Sequence, residues 1–306
     1  MSGQESAVSS RGPVGEEAGR VAVIGASSPL GRRLVARLAS RGVAVIATAR
    51  SADSLAGLPA TARVADLAEP RTLPAALADV SRVAVCAPAR FAPAVLAALP
   101  DRVERVVLTG STRRFTRFPD AAALEVIAAE AALEKSGRPG VVIHPTMICG
   151  AGMENNVQRV AVYVRRFGVV PLPQGGRRLI QPIYVDDVAA CLDAALDRAE
   201  APGAAIVAAG PAAVSYRDFV QAIARAIGRR VRIIDVPAGL LMAAAVATRL
   251  LPGAPRIEPS EVRRLLEDKA FDIGEMRRRL GVEPLGLDEM LRRSLVGGGV
   301  THQSAI

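Results

Sequence analysis

The 306-residue chain has no tryptophan, three tyrosines, six phenylalanines and two histidines. So few aromatics exclude the stacking platforms that grip single-stranded nucleic acid. Lysine is nearly absent as well. Lys135 and Lys269 are the two, and every other basic residue among the 39 is arginine. That bias, with the abundance of alanine, resembles the product of a GC-rich coding sequence. It weakens the net charge of +9 as a sign of polyanion binding. The cations are scattered among acids without a long basic run, so no nucleic-acid partner is expected.

Cysteine is equally sparse. Cys86, Cys149 and Cys191 are odd in number and show no metal-ligand spacing. This excludes a disulfide scaffold and a cysteine-based metal centre, and no metal is expected. The first 19 residues are polar and lack an apolar core of the signal-peptide type. The expectation is a disordered leader, a cytoplasmic location and free, buried thiols. Long hydrophobic runs are missing too. The longest strongly apolar stretch, Val236 to Ala247, is twelve residues, too short to span a bilayer. It leaves open an apolar cleft wall or a contact with a membrane surface through 236–251.

What is present is a chain half hydrophobic, with a core to be built from Ala, Val, Leu and Ile. Strand-like runs at Val21–Ile24, Val43–Ala47, Arg63–Ala65, Val83–Cys86, Val106–Leu108 and Val141–His144 alternate with helical stretches. The helices fall near Gly31–Ser40, Leu73–Ala78, Pro93–Leu99 and Ala121–Lys135. Such alternation predicts a parallel, doubly wound sheet. Beyond Gly150 helices dominate, with short strands near Ile180–Val185, Ala205–Val207 and Val231–Val236. The division expected is a leader at 1–19, a nucleotide-binding core at 20–150, a substrate lobe at 151–296 that can return to the core sheet, and a flexible tail at 297–306.

The segment Val21-Ala-Val-Ile-Gly-Ala-Ser-Ser-Pro-Leu-Gly-Arg-Arg-Leu-Val35 is the most informative. A strand runs into a glycine turn and an amphipathic helix follows. Gly25 lets the chain turn out of the strand, and Gly31 lets the helix approach the sheet. The helix N-terminus then presents backbone N–H groups and a positive dipole end to a pyrophosphate. The pattern is G-x-x-S-x-x-G, and its place after a strand and before a helix gives it meaning. Gly25, Ser27, Ser28, Pro29, Leu30, Gly31 and Arg32 are the expected cradle.

Second strands of such units end on the group that meets the adenosine ribose. An acid there favours NAD, whereas an arginine accommodates the 2′-phosphate of NADP. This strand ends Ala47-Thr-Ala-Arg50, and no acid occupies its end. Arg50, with Arg32 as a second cation, therefore predicts NADP(H), with NAD(H) as the alternative. Asp66 and Leu67, after the third strand, are placed for the adenine edge. Ala87 and Pro145, after later strands, complete the expected cofactor set.

Together these residues resemble the extended short-chain dehydrogenase/reductases, the epimerase/dehydratase-like branch with its atypical members. The resemblance covers roughly residues 20–295. It rests on the glycine turn, Asp66-Leu67, Val106-Val-Leu-Thr-Gly-Ser111-Thr, Glu130 and His144-Pro-Thr-Met-Ile-Cys-Gly150. Gln181-Pro-Ile-Tyr-Val-Asp-Asp-Val-Ala189 and Phe271-Asp272…Leu280-Gly281…Pro284 extend it. It implies a Rossmann sheet with a smaller, mainly helical C-terminal substrate lobe and a small-molecule substrate in the crevice between them.

The family's usual chemistry needs a tyrosine and a lysine at i, i+4 on the helix after the fifth strand, one turn apart on one face. Taking Glu130 as the glutamate that follows them puts Ala122 and Val126 at those positions. No lysine lies four residues after Tyr163, Tyr184 or Tyr216. The pair is absent from the chain. Ser111 stands at the family's serine/threonine position with Thr112 beside it, and these two are the catalytic candidates. Strand-end capping is their plainer role.

His144 reads as a strand-end histidine more than a base. Asp186 and Asp187 read as residues that order the cleft, and Tyr184 as a packing residue. Arg113, Arg114, Arg177 and Arg178 are candidates to hold a phosphorylated or nucleotide-linked substrate, against the plainer reading of solvated arginines. Gly150, Asn155 and Asn156 are expected to shape the cleft floor. Two functions compete: an NADP-dependent oxidoreductase or epimerase/dehydratase of atypical mechanism, and a non-catalytic NADP-binding regulator. A homodimer or an accessory-subunit role stays open under either.

Overall fold

The computed structural model describes residues 19–151, 156–198, 203–248 and 259–296. The expected leader up to residue 18 and the tail from 297 lie outside the described residues. The first half of the chain supplies six strands of the main sheet: β1 (Arg20–Ile24), β2 (Val45–Ala49), β3 (Thr61–Val64), β4 (Val80–Val85), β5 (Arg105–Thr109) and β6 (Gly140–Pro145). Between them run α1 (Pro29–Ser40), α2 (Leu73–Ala76), α3 (Ala92–Ala98) and α4 (Ala121–Lys135).

Residues alternate between the two faces of a strand, and both faces are buried here. Val21 and Val23 of β1 join Leu34, Val35 and Leu38 of α1 in one core. Ala22 and Ile24, their neighbours, join Leu73, Val95, Leu96 and Leu133 from α2, α3 and α4 in another. Each fully buried leucine contributes roughly 1.5–3 kcal/mol. With helices on both faces, the sheet is doubly wound, as the alternating pattern predicts.

The second half begins with β7 (Ile148–Cys149), α5 (Asn156–Phe167), β8 (Val169–Leu172), β9 (Leu179–Ile180), β10 (Ile183–Tyr184) and α6 (Val185–Leu196). After it come β11 (Ala204–Ala208), β12 (Val214–Ser215), α7 (Tyr216–Ala226), β13 (Arg232–Asp235), α8 (Ala238–Thr248), α9 (Pro259–Arg264) and α10 (Leu287–Val296). The seven-stranded sheet has the order β11-β6-β5-β4-β1-β2-β3, with every pairing parallel.

One sequence expectation shifts. The run Ile180–Val185 is not one strand. Pro182 has no N–H to continue a ladder, so β9 pairs with β12 and β10 pairs with β7, and α6 starts at Val185. The strand at Ala204–Ala208 belongs to the main sheet, beside β6. A smaller core of Val164, Val170, Leu172, Val220 and Ala224 holds the C-terminal part together. α6 itself covers α1, tied by Arg33 to Asp186 at 3.0 Å and by Arg37 to the buried Asp193 at 2.7 Å. Among the described residues no helix is long and apolar enough to cross a membrane.

Candidate functional site

At the carboxyl end of β1 the chain turns on Gly25, whose φ of +78° lies in the left-handed region. A Cβ there would stand 2.7 Å from the Cys86 carbonyl oxygen. Ser28 caps α1: its Oγ accepts the Gly31 N–H at 3.0 Å and donates to the Gly25 carbonyl at 2.8 Å. Gly31 packs so tightly that a Cβ would meet the Gly25 carbonyl oxygen at 2.3 Å. Pro29 at the first helical position has no N–H to satisfy. The N–H groups of Ser27 and Leu30 have no acceptor among the described residues. This close, donor-rich cradle fits a dinucleotide pyrophosphate.

Arg50 follows β2 directly and is exposed. Arg32 donates to the Ser54 carbonyl at 2.5 Å, which holds it against the loop after Arg50. Asp66 follows β3, and its Oδ1 accepts the Ala68 N–H at 2.9 Å, so one carboxylate oxygen is used locally. Leu67 and Ala87 are half-buried, and Pro145 is buried at the end of β6. The cofactor set of the sequence thus gathers along the carboxyl ends of β1, β2, β3, β4 and β6.

Ser111 follows β5 and caps a short 3-10 turn, Thr112–Phe115. Its Oγ accepts the Arg113 N–H at 3.2 Å, which leaves its own proton free to donate. Its N–H donates to His144 Nδ1 at 3.1 Å. Thr112 Oγ1 donates to the Pro145 carbonyl at 3.3 Å, so Thr112 serves the backbone.

His144 is fully buried, and burial is the main cause pushing its pKa below the ordinary value. With Nδ1 accepting from Ser111, the neutral ring carries its proton on Nε2, which lies 2.5 Å from Glu130 Oε1. That contact pulls the ring's pKa upward, against the larger effect of burial. Arg114 donates to both oxygens of Glu130 at 2.7 and 2.5 Å. His144 is therefore a positioning residue for the Ser111 loop. Nothing in the sequence signalled this, because the partners lie 33 residues apart.

Gly110 makes the arrangement fit. A Cβ there would stand 2.4 Å from His144 Nδ1 and 2.8 Å from Val142 Cγ1. Gly110→Ala is expected to cost about 1–3 kcal/mol by overpacking. The double variant with His144→Ala should show a favourable coupling of about 0.5–3 kcal/mol, because the obstructing ring is gone. Denaturant melts of the four proteins measure this. A Gly110→Ala protein as stable as the parent would mean the ring is free to move.

The remaining candidates separate. Asp186 pairs with Arg33, and Asp187 Oδ2 accepts the Leu285 N–H at 2.9 Å, with burial raising its pKa. Tyr184 is buried, which raises its pKa. Gly150 abuts Val185, where a Cβ would meet Cγ1 at 2.4 Å. Arg113 lies 3.6 Å from Asp120, and Arg178 donates to Asp268 at 2.9 Å. Arg113, Arg114 and Arg178 thus each have a carboxylate already, while Arg177 is exposed. Asn156 opens α5, and Asn155 lies outside the described residues. The two positions of the missing pair, Ala122 and Val126, are half-buried and buried.

No family model matches the sequence. Uncharacterized proteins of Mycobacterium tuberculosis and Mycobacterium bovis are 28% identical over 253 residues, a match that takes in 80% of this chain and 27% of theirs. The chain thus spans about a quarter of the length of these curated relatives. Among solved structures, it is similar to a nucleoside-diphosphate-sugar epimerase from Pseudomonas aeruginosa, at 20% identity and a TM-score of 0.73 over 91% of this chain and 97% of that one. It is also similar to an NADPH-dependent quinone oxidoreductase from Escherichia coli, at 22% identity and 0.70 over 89% and 98%. WbmF from Bordetella bronchiseptica, solved with NAD+ and UDP, aligns at 17% identity and 0.68 over 92% of each chain. The chain has the fold that these proteins share, a parallel Rossmann sheet with a smaller C-terminal part.

Proposed function

We propose that this protein binds NADP(H) and acts on a small molecule as an atypical oxidoreductase or epimerase/dehydratase of the extended short-chain dehydrogenase/reductase type. The observation that carries the reading is the Gly25–Gly31 cradle, where a Cβ at position 31 has no room beside the Gly25 carbonyl. Gly25, Ser27, Ser28, Leu30 and Gly31 would hold the pyrophosphate, Arg50 and Arg32 the 2′-phosphate, and Asp66 and Leu67 the adenine side. A nicotinamide supplies or accepts hydride when bound. The Ser111 hydroxyl, at the end of β5, can donate to a substrate oxygen in that crevice.

The exposed Arg50 guanidinium supports NADP(H) over NAD(H), because it offers bidentate contacts to a phosphate and repels none of its charge. NADP+ is expected to bind at least about tenfold tighter than NAD+, since a charge-assisted contact contributes about 1.5–3 kcal/mol. Arg50→Ala should remove most of that preference and leave NAD+ affinity nearly unchanged. Calorimetry with both cofactors on both proteins is the test. Equal affinities in the parent would defeat the assignment of Arg50.

The apolar residues Ala122 and Val126 favour a second reading, a cofactor-bound regulator or accessory subunit that turns nothing over. Partner binding would then differ between NADP+ and NADPH, because a ligand shifts an equilibrium only by its differential affinity for two states. The two readings part on whether NADPH is consumed in the presence of any small-molecule substrate.

A further inference from the structure

The arginines of this chain divide into two sets. Along α1 and β3 they are paired: Arg33, Arg37, Arg41 and Arg63 each hold a carboxylate. Where α5 runs into β8 and α7 into β13 they are not. Arg165, Arg166, Arg229, Arg230 and Arg232 are exposed, and none has an ion pair among the described residues. The cause is local sequence. Neither 156–174 nor 219–234 contains an aspartate or a glutamate. Net charge says little in an arginine-biased chain, but this distribution leaves one region with cations and no answering acids.

The fold brings these residues together. β8 and β13 run parallel, with Val169 beside Arg232 and Pro171 beside Ile234. The Arg232 N–H donates to the Gly168 carbonyl at 2.9 Å, so the start of β13 lies against the end of α5. Strand residues alternate between faces. Val170, Leu172 and Ile233 pack on the small core with Val164 and Val220. Val169, Arg232 and Ile234 therefore face away from it, and all three are exposed. Phe167, the last residue of α5, is 53% exposed, with the Arg166 guanidinium 5.3 Å from its ring centre. α8 follows β13 and presents Leu240, 62% exposed. Aromatic and aliphatic side chains thus stand in water among unpaired guanidiniums.

Water solvates the guanidiniums, but it gains nothing from Phe167, Val169 or Ile234. An occupant that uses both sets carries phosphates over an apolar layer. A single-stranded nucleic acid would instead ask for a row of stacking aromatics, and this region offers Phe167 and the Tyr163 ring 4.6 Å from it. We propose that the exposed face of β8 and β13, with the end of α5, is a docking surface for a membrane leaflet rich in anionic phospholipid. The arginines fork onto lipid phosphates while their stems and the apolar side chains enter the interface. The contact is peripheral, since no helix among the described residues is long and apolar enough to cross a membrane. It is independent of the cofactor in the crevice.

The full chain is sedimented with vesicles of phosphatidylcholine alone and of phosphatidylcholine with about a third phosphatidylglycerol. It should pellet with the anionic vesicles only, and raising salt from about 0.1 to about 0.5 M should release it. Each arginine near an anionic surface strengthens binding about fivefold, so R229Q/R230Q should bind about twentyfold more weakly. R102Q/R198Q removes two other exposed arginines, before β5 and after α6, and should bind as the parent does. The chain has no tryptophan, so F167W sets a single reporter in the patch. Its emission should shift to the blue on anionic vesicles and be quenched by brominated lipid. The substituted side chains are all exposed, and circular dichroism checks each fold. Equal losses in the two double variants reduce the effect to net charge and overturn the proposal. So does pelleting that ignores lipid charge, pelleting with neither vesicle, or an F167W emission unmoved by bound vesicles. Poly(U) held as tightly as the anionic vesicles makes the surface a nucleic-acid site and overturns it too.

Discussion

Gly31→Val is expected to abolish measurable NADP(H) binding, and in part folding. The bare Cβ of any side chain at this position would stand 2.3 Å from the Gly25 carbonyl oxygen and 2.8 Å from Ala26 Cα. Both are backbone atoms of the turn, so no rotamer relieves the contact. The helix must tilt off the sheet or the turn must open. Either movement takes the Leu30 N–H and the helix dipole away from the pyrophosphate. Losing two charge-assisted contacts of about 1.5–3 kcal/mol each lowers affinity about a hundredfold to ten-thousandfold. Gly42→Ala is the control. Gly42 also has a left-handed φ, +77°, but a Cβ there meets nothing within 4 Å. It should cost about 1 kcal/mol of backbone strain and leave cofactor affinity alone. Calorimetry on folded protein, checked by circular dichroism, decides it. A folded Gly31→Val protein with parental NADP+ affinity would move the phosphate site elsewhere.

Why this turn was legible in the sequence follows from the same physics. A strand buried on both faces needs an unbroken apolar run, and Val21-Ala-Val-Ile supplies it. The alternation of Val21 and Val23 with Ala22 and Ile24 between two cores is invisible in such a run, yet the run itself is the signal. The helix α4 also matched its sequence bounds, because Asp120 caps it and Ser136 and Gly137 close it. The break inside Ile180–Val185 was harder. Its apolar residues read as one strand, and only the pairing of β9 and β10 with different partners shows that Pro182 divides it.

The place of Ser111 was legible in the sequence, and its contacts were not. The sequence placed Ser111 at a strand end, and the structure places it there. It gave no sign that His144 would accept the Ser111 N–H, or that Glu130 and Arg114 would stand behind the ring. Those contacts join residues distant in the chain, and no local period records them. The requirement for Gly110 is likewise a matter of close approach, since its Cβ would enter the His144 ring. The arginine pairs were equally silent. Arg113-Arg114 read as solvated arginines more than as a phosphate grip, and only the structure shows Asp120 and Glu130 beside them.

Ser111→Ala should lower turnover far more than it lowers NADP(H) affinity if the protein is an enzyme. The hydroxyl accepts the Arg113 N–H and keeps its proton available, while its backbone is anchored to a buried histidine that burial holds neutral. A donor fixed in this way would need no reorganisation to meet charge developing on a substrate oxygen. Removing one such donor costs about a hundredfold to a thousandfold in kcat. The same change removes a cap from a four-residue turn, which costs about 0.5–2 kcal/mol in stability. The two effects are separable. Ser111→Asn and Ser111→Asp keep a capping oxygen, so a role confined to capping predicts that they restore both stability and turnover. A role in the reaction predicts restored stability with turnover still depressed. The expected result is the second, measured as kcat against NADPH at saturating substrate beside a denaturant melt of each variant. Parental turnover in Ser111→Ala would confine this residue to the turn and leave proton and oxygen handling to other groups of the crevice.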